Sequence, residues 1–350
     1  MKKKTYIKLT VQEPVIQCIT QDAYLQAVGL NSAAFYPWMM GQFAQLWACD
    51  PRIAAGGVFL YFVAPSYWFA CPHLYTQEMS KETINVRYDR IADFLTDSLS
   101  LGQYVILPVN RRFIDAFHDD GDGTHDMMIH GYDMTKGLFY IADFFEGNFR
   151  LRTCPFEDME NAYFTDTVNP LSWHNTVRLV SPDHHRRHFD FHLAASHDFD
   201  TQAVCTQLAD YIRGENSLYR YRIRQKQRDS YGHTVGGIRV YDVLMQYVRE
   251  SVPAEGPLDH RIFYILWAHK HMLTLRAEFM GGLDDARPAA EFAAPFREIE
   301  DQARTLLNKV LKRNLKGSGL SCSDVEDALA SLRDREVEVI GRFLEMLEKG

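Results

Sequence analysis

Two hydrophobic rhythms divide this chain. Up to about residue 195 the apolar positions fall in short runs of strand length, and beyond it they recur at helical spacing. Residues 4–12 alternate weakly and predict an edge strand ending at Glu13-Pro14. From Ile19 onward Tyr24, Leu25 and Val28 share one helical face, with Gly29 as a stop. Residues 83–100 predict one amphipathic helix (Ile84, Tyr88, Ile91, Leu95, Leu99) closed by Gly102. The run from Tyr104 to Val109 is almost wholly apolar and suits a central strand. Next, residues 124–143 predict a hairpin around the turn Met134-Thr135-Lys136-Gly137, and residues 148–153, 176–180 and 189–193 predict further strands.

After the change of rhythm, residues 201–213, 237–251, 258–280, 289–314 and 323–348 predict helices, punctuated by Pro253, Pro257, Gly281-Gly282, Pro288 and Gly317. Ser323 followed by Glu326 reads as a capping box for the last of them. The predicted organisation is an α+β domain over 1–195 and a helical domain over 196–350, with no internal repeat. The aromatic-rich tract 31–75 (Phe35, Trp38, Trp47, Phe59, Tyr61, Tyr67, Trp68) reads as core and pocket wall of the first domain.

Composition narrows the class. Hydrophobic content of 46% with 24% charge is that of a globular protein, and a net charge of −8 argues against nucleic acid as the main partner. Six scattered cysteines without a C-x-x-C pair point to a reducing, cytoplasmic setting rather than a disulfide framework. The opening MKKKTYIKLTVQ lacks the apolar region of a signal peptide, because Lys8 and Gln12 interrupt it. The uncharged stretch 53–70 contains Gly56, Gly57, Pro65 and Ser66, and is expected to be a buried strand and loop rather than a membrane span.

Candidate chemistry centres on the hairpin. With pairing centred near Thr135, His125 lies opposite Phe145, and Asp143 is its diagonal neighbour on the same face, about 7–8 Å away. An imidazole beside a carboxylate is the base and orienter that a nucleophile needs. Cys18, just ahead of the first predicted helix, is the candidate nucleophile, since a helix N-terminus favours the thiolate. The order Gln, Cys, His, Asp resembles that of papain-like folds, and the resemblance implies an oxyanion donor at Gln12, six positions before Cys18, or at the adjacent Gln17. The bland alternatives are a small buried cysteine, a surface histidine and a turn aspartate. His130 is a rival base, but its spacing from His125 reverses the strand face. The histidine run His184, His185, His188, His192 and His197 reads as a polar linker, with no metal and no resident cofactor expected. His260, His269 and His271 fall on one predicted helix, expected to pack on the first domain, with lining of its pocket as the alternative.

The segments LGQYVILPVN, HDMMIHGYD and LFYIADFF together resemble the core of the butirosin biosynthesis protein H family, whose clan has papain-like folds and includes bacteriocin-processing cysteine peptidases. Cys18 before the first helix, His125 six residues before Gly131-Tyr132-Asp133, and Asp143 after the next strand match that family's order over roughly residues 10–180. Two features depart from it: Gln17 stands where the family often has His, and Ile19-Thr20-Gln21 where the peptidases have small residues. The resemblance implies a papain-like domain, with a cysteine-bearing helix packed on an antiparallel sheet, then a helical domain. It implies a Cys18–His125–Asp143 triad that takes an acyl group from the phosphopantetheine thioester of a carrier protein to an amine acceptor in antibiotic biosynthesis. Hydrolysis on the same triad, or binding without catalysis, are the alternatives. In YRYRIRQKQRD, Arg220, Arg222 and Arg224 repeat at every second residue, forming a basic face that an acidic carrier protein would suit.

Overall fold

The apolar run at 104–110 is a strand buried at every position, the centre of an antiparallel sheet. The structure is a computed structural model describing residues 4–52, 58–63, 71–118, 123–165, 175–182, 199–220, 234–252, 256–317 and 320–349. In chain order its first elements are β1 (Tyr6–Lys8), α1 (Thr20–Gly29), α2 (Phe35–Gly41), β2 (Leu46–Cys49), β3 (Leu60–Phe62), β4 (Leu74–Ser80), α3 (Lys81–Asn85) and α4 (Ile91–Ser100). Then come β5 (Tyr104–Asn110), β6 (Thr124–Asp133), β7 (Leu138–Phe145), β8 (Asn148–Pro155), α5 (Phe156–Phe164) and β9 (Thr176–Pro182). The rest is α6 (Thr201–Ile212), β10 (Thr234–Gly236), α7 (Val240–Ser251), α8 (His260–Met280), α9 (Ala293–Lys316) and α10 (Cys322–Lys349). No helix among the described residues is long and apolar enough to cross a membrane.

Two compact units emerge, residues 1–36 with 66–197 and residues 37–65 with 198–350. The first is an antiparallel sheet in the order β4-β9-β5-β6-β7-β8, with β1 added to β6. Leu95 and Leu99 of α4 and Met159 and Tyr163 of α5 bury one core with Val105, Leu107, Met127, Ile129 and Ile141 of the sheet. The hairpin is where the sequence puts it. Met128 pairs with Ala142, the register expected from a centre near Thr135, and a bulge between Ile129 and Gly131 then shifts it by one.

Each residue of Gly131-Tyr132-Asp133 has a structural task in this hairpin. A Cβ at Gly131 would stand 2.4 Å from the Ile7 carbonyl oxygen, so only glycine lets β1 lie on β6. Tyr132 is buried and its hydroxyl reaches the Lys4 carbonyl (2.9 Å) and Ser100 Oγ (2.8 Å). Asp133 Oδ1 accepts from the amides of Thr135 and Lys136 and closes the turn.

Several elements differ from their sequence expectation. The helix expected at 83–100 is two helices, because Glu160 of α5 accepts from the amides of Ile91 (3.1 Å) and Ala92 (3.0 Å) and starts α4 afresh. The capping box of α10 is Ser321 with Asp324 rather than Ser323 with Glu326. Asp324 N donates to Ser321 Oγ and Ser321 N to Asp324 Oδ2, both at 3.1 Å. Residues 289–292 form a 3-10 turn ahead of α9. Residues 189–193 and the histidine run 184–197 lie outside the described residues.

The largest departure concerns residues 37–65, which belong to the second unit. β2 pairs with β3 and β10 in a small antiparallel sheet, so that unit is not purely helical. Arg276 of α8, wholly buried, donates to the carbonyls of Met40 (2.7 Å) and Gln42 (2.5 Å) and so closes the end of α2. His269 Nε2 lies 3.1 Å from the Ala44 carbonyl. Beside it, Lys270 Nζ is 2.5 Å from Glu336 Oε1 and 3.0 Å from His269 Nδ1, while the Tyr241 hydroxyl donates to Glu336 Oε2 at 2.8 Å. A lysine can only donate to Nδ1, so His269 is neutral with its proton on Nε2.

This network makes the second unit acid-labile. Burial, then the adjacent Lys270 charge, brings His269 from 6.5 down to about 4. Burial pushes Glu336 up, but the Lys270 charge outweighs it and brings it from 4.5 down to about 2. Both folded values lie below the unfolded ones, so the stabilisation is complete above them and is lost as protons bind preferentially to the unfolded chain. Calorimetry is expected to show stability falling as pH drops through 6.5 toward 4 for His269, then through 4.5 toward 2 for Glu336. Lys270→Met, which strands a buried carboxylate, should cost about 3–5 kcal/mol at neutral pH.

Candidate active site

One end of the first unit's sheet gathers the polar groups: the end of β5, the start of β6, the end of β7 and the start of α1. Tyr24 of α1 is buried and donates to the Asp126 carbonyl on β6 (3.1 Å), which ties the helix to the sheet here. His125, the second residue of β6, is half-buried, and its Nδ1 lies 2.7 Å from the same Asp126 carbonyl. A carbonyl oxygen only accepts, so Nδ1 carries the proton in the neutral ring and Nε2 is left with a bare lone pair. That nitrogen faces the first residue of α1, with Thr20 Oγ1 3.5 Å away.

Asp143 on β7 is wholly buried behind this ring. Its Oδ1 accepts from the Phe144 amide at 2.7 Å. Its Oδ2 lies 3.7 Å from His125 Nδ1 and 3.6 Å from Arg111 Nη2. These are ion-pair distances longer than hydrogen bonds, so Asp143 steadies a charged imidazole electrostatically while the Asp126 carbonyl orients the neutral one. Arg111 follows directly after β5, its amide bound to the Gly123 carbonyl and its guanidinium 4.6 Å from the Phe117 ring centre. Burial first, then the Asp143 carboxylate, hold the Tyr24 phenol well above its ordinary value, so Tyr24 stays neutral.

Cys18 stands one residue ahead of Ile19, the N-cap of α1, which has no side-chain cap. Its position before the helix matches expectation, but its ionisation does not. Burial and then the Asp22 carboxylate hold the thiol well above its ordinary value, so the resting group is a thiol rather than a helix-stabilised thiolate. No hydrogen bond joins Cys18 to His125; the imidazole contact is made two residues further on, by Thr20.

Neither glutamine is aimed at the sulfur. Gln12 Nε2 donates to Asn31 Oδ1 (3.2 Å), and its amide donates to the Ala27 carbonyl. That places Gln12 at the far end of α1, about 13 Å along the axis at 1.5 Å per residue. Gln17 Nε2 gives its hydrogens to Glu13 Oε1 and the Pro14 carbonyl, both at 3.1 Å. The oxyanion roles expected for Gln12 and Gln17 are therefore not met in this arrangement.

The other candidates have structural partners. His130 sits in the bulge, its Nδ1 2.9 Å from the Leu9 carbonyl, and burial brings it down to about 4. His271 pairs with Glu300 at 3.0 Å. All six cysteines are free thiols. Arg222 and Arg224 lie outside the described residues, and Arg220 closes the short 3-10 turn Ser217–Arg220. Among the described residues no group of three or more His, Cys, Asp or Glu is placed to hold a metal ion. Sequence reading passed over Thr20, Arg111 and Asp22. The signals present were a hydroxyl two positions after the cysteine, a basic residue at the end of an apolar strand, and an acid inside an apolar helix face.

Peptide-mapped alkylation tests the state of the sulfur. At neutral pH Cys18 should react with iodoacetamide at least ~10-fold more slowly than free cysteine, with a rate still climbing as pH rises. A rate above that of free cysteine would contradict the burial argument.

Comparison with protein-family models and with curated proteins finds no match to this chain.

Proposed function

We propose that the first unit is a papain-like acyltransferase domain in which Cys18 carries the acyl group, His125 moves the proton and Asp143 stabilises the imidazolium. The observation behind this reading is the bare Nε2 of His125, turned toward the helix start that follows Cys18. The order of Cys18, His125 and Asp143 along the chain, which resembles that of the butirosin biosynthesis protein H family, adds to it.

In this reading the donor is the thioester of a carrier protein's phosphopantetheine arm. His125 Nε2 takes the Cys18 proton as the sulfur attacks the thioester carbonyl carbon, and a tetrahedral oxyanion forms. The C–S bond to the arm breaks, and the leaving thiol receives the proton from His125. An amine acceptor then attacks the acyl-cysteine, passes its proton to His125, and Cys18 departs as the thiol regains that proton. A raised resting thiol suits this sequence: the sulfur ionises only as the base takes its proton, so it is quiet toward other electrophiles. Arg220, Arg222 and Arg224 are proposed as the basic face that an acidic carrier protein meets.

A second reading places the acyl group on Thr20, since its hydroxyl is the group in contact with His125 Nε2. Intact mass spectrometry after incubation with S-acetyl-N-acetylcysteamine separates the readings. The acyl adduct should appear on the native protein, persist in Thr20→Val and vanish in Cys18→Ala. An adduct kept by Cys18→Ala and lost in Thr20→Val would move the nucleophile to Thr20, and its absence from the native protein would remove acyl transfer altogether. Release of the acyl group as free acid, with an amine present in excess, would make the enzyme a hydrolase.

A further inference from the structure

The reaction above leaves Arg111 without a task, although its guanidinium stands beside His125 and Asp143. Arg111 opens the 3-10 turn Arg111–Phe113 at the end of β5, and its amide is bound to the Gly123 carbonyl at 3.1 Å. Its guanidinium lies 4.6 Å from the Phe117 ring centre, and that ring lies 4.7 Å from the ring of Phe145, two residues after Asp143. Main chain and aromatic rings thus hold the charge against the end of β7. There it meets a carboxylate oxygen that the imidazole meets too. Asp143 Oδ2 stands 3.6 Å from Arg111 Nη2 and 3.7 Å from His125 Nδ1, while Oδ1 is taken by the Phe144 amide. Neither distance is that of a hydrogen bond, and both Oδ2 and Arg111 Nε are buried without a hydrogen-bond partner among the described residues.

A wholly buried carboxylate needs a cation nearby to stay ionised. A guanidinium is always charged, whereas an imidazole is charged only with a proton on both nitrogens. Arg111 therefore serves Asp143 in the resting state, and a protonated His125 would have to share it. The other charged groups around the ring are committed elsewhere. The Asp126 carboxylate of β6 lies 3.3 Å from Arg178 of β9, and Tyr24 of α1 stays neutral. Burial lifts Asp22 of α1 to about 8, so it is uncharged at neutral pH. Arg150 of β8 stands opposite Asp143 in the strand register, but it is exposed and screened by water.

We propose that Arg111 is a positioning residue that keeps His125 in its neutral, proton-accepting form by sharing Asp143 Oδ2 with it. A buried carboxylate alone beside an imidazole draws a proton onto the ring, and a ring already charged cannot take the Cys18 proton. With the guanidinium on the same oxygen the carboxylate is compensated, and a second positive charge there is repelled. The imidazolium then forms only as the thiol proton arrives, when the new negative charge on sulfur offsets it. The effect of Arg111 on turnover rests on the acyltransferase reading, but its hold on the charge of the ring does not.

Three variants test it. Arg111→Met removes charge and donors, Arg111→Gln keeps a donor without the charge, and Arg111→Lys keeps the charge. Nitrogen-15 NMR reads the protons on the His125 ring at neutral pH, and turnover of S-acetyl-N-acetylcysteamine is followed from about pH 6 to about pH 9. The Met and Gln variants should raise the ratio of imidazolium to neutral imidazole about 10-fold and move the acid limb of the turnover profile up by about one pH unit. The Lys variant should return both toward the native values. An unchanged ring in the Met and Gln variants, as when the proton settles on Asp143 instead, would overturn the proposal. So would a Lys variant as altered as the Met one, or a turnover profile lowered evenly at every pH. If the native protein shows no turnover, the acyltransferase reading fails while the NMR comparison still decides the role of Arg111. If the Met variant fails to fold, the Gln variant decides it.

Discussion

A ring nitrogen bound to a main-chain carbonyl fixes the chemistry of the opposite nitrogen. In this protein the 2.7 Å contact from His125 Nδ1 to the Asp126 carbonyl is that constraint. It commits the proton of the neutral imidazole to the strand and turns the basic lone pair toward the start of α1. The hairpin is built to hold that carbonyl still. Gly131 admits β1 against β6, Asp133 closes the turn, and Tyr24 ties α1 to the same carbonyl. Asp143 then acts at ion-pair range, where it matters once the ring is charged.

The state of Cys18 follows from a contest that magnitudes decide. A helix N-terminus stabilises a negative charge by about 0.3–1 kcal/mol, and the effect fades within the first turn. Cys18 lies outside the helix, beyond its N-cap Ile19. Cys18 is half-buried, and desolvation, which can shift a fully buried group by about 3–5 pKa units, raises its thiol with the Asp22 carboxyl working in the same direction. Desolvation therefore outweighs the helix terminus, and the Cys18 sulfur rests as a thiol.

The hairpin, its register and the pairing of His125 with Asp143 were legible because a two-residue alternation bounded by Gly and Asp leaves one consistent arrangement. What escaped depends on contacts between segments distant in sequence. Glu160 restarts a helix that its own periodicity would have continued, and Arg276 and His269 draw the 37–65 tract into the second unit through its carbonyls. Gln12 has the right spacing from Cys18 but the wrong end of the helix, a difference that only the fold exposes. The burial of Asp22 is likewise invisible in a sequence where an acid on a helix normally means a solvated face.

The tautomer of His125 is the most direct test of the whole account. Nitrogen-15 NMR at neutral pH should find the proton on Nδ1 and a bare Nε2, with the His125 signals shifting when Cys18 alone is alkylated. A proton resident on Nε2, or a ring whose signals ignore the state of Cys18, would contradict it.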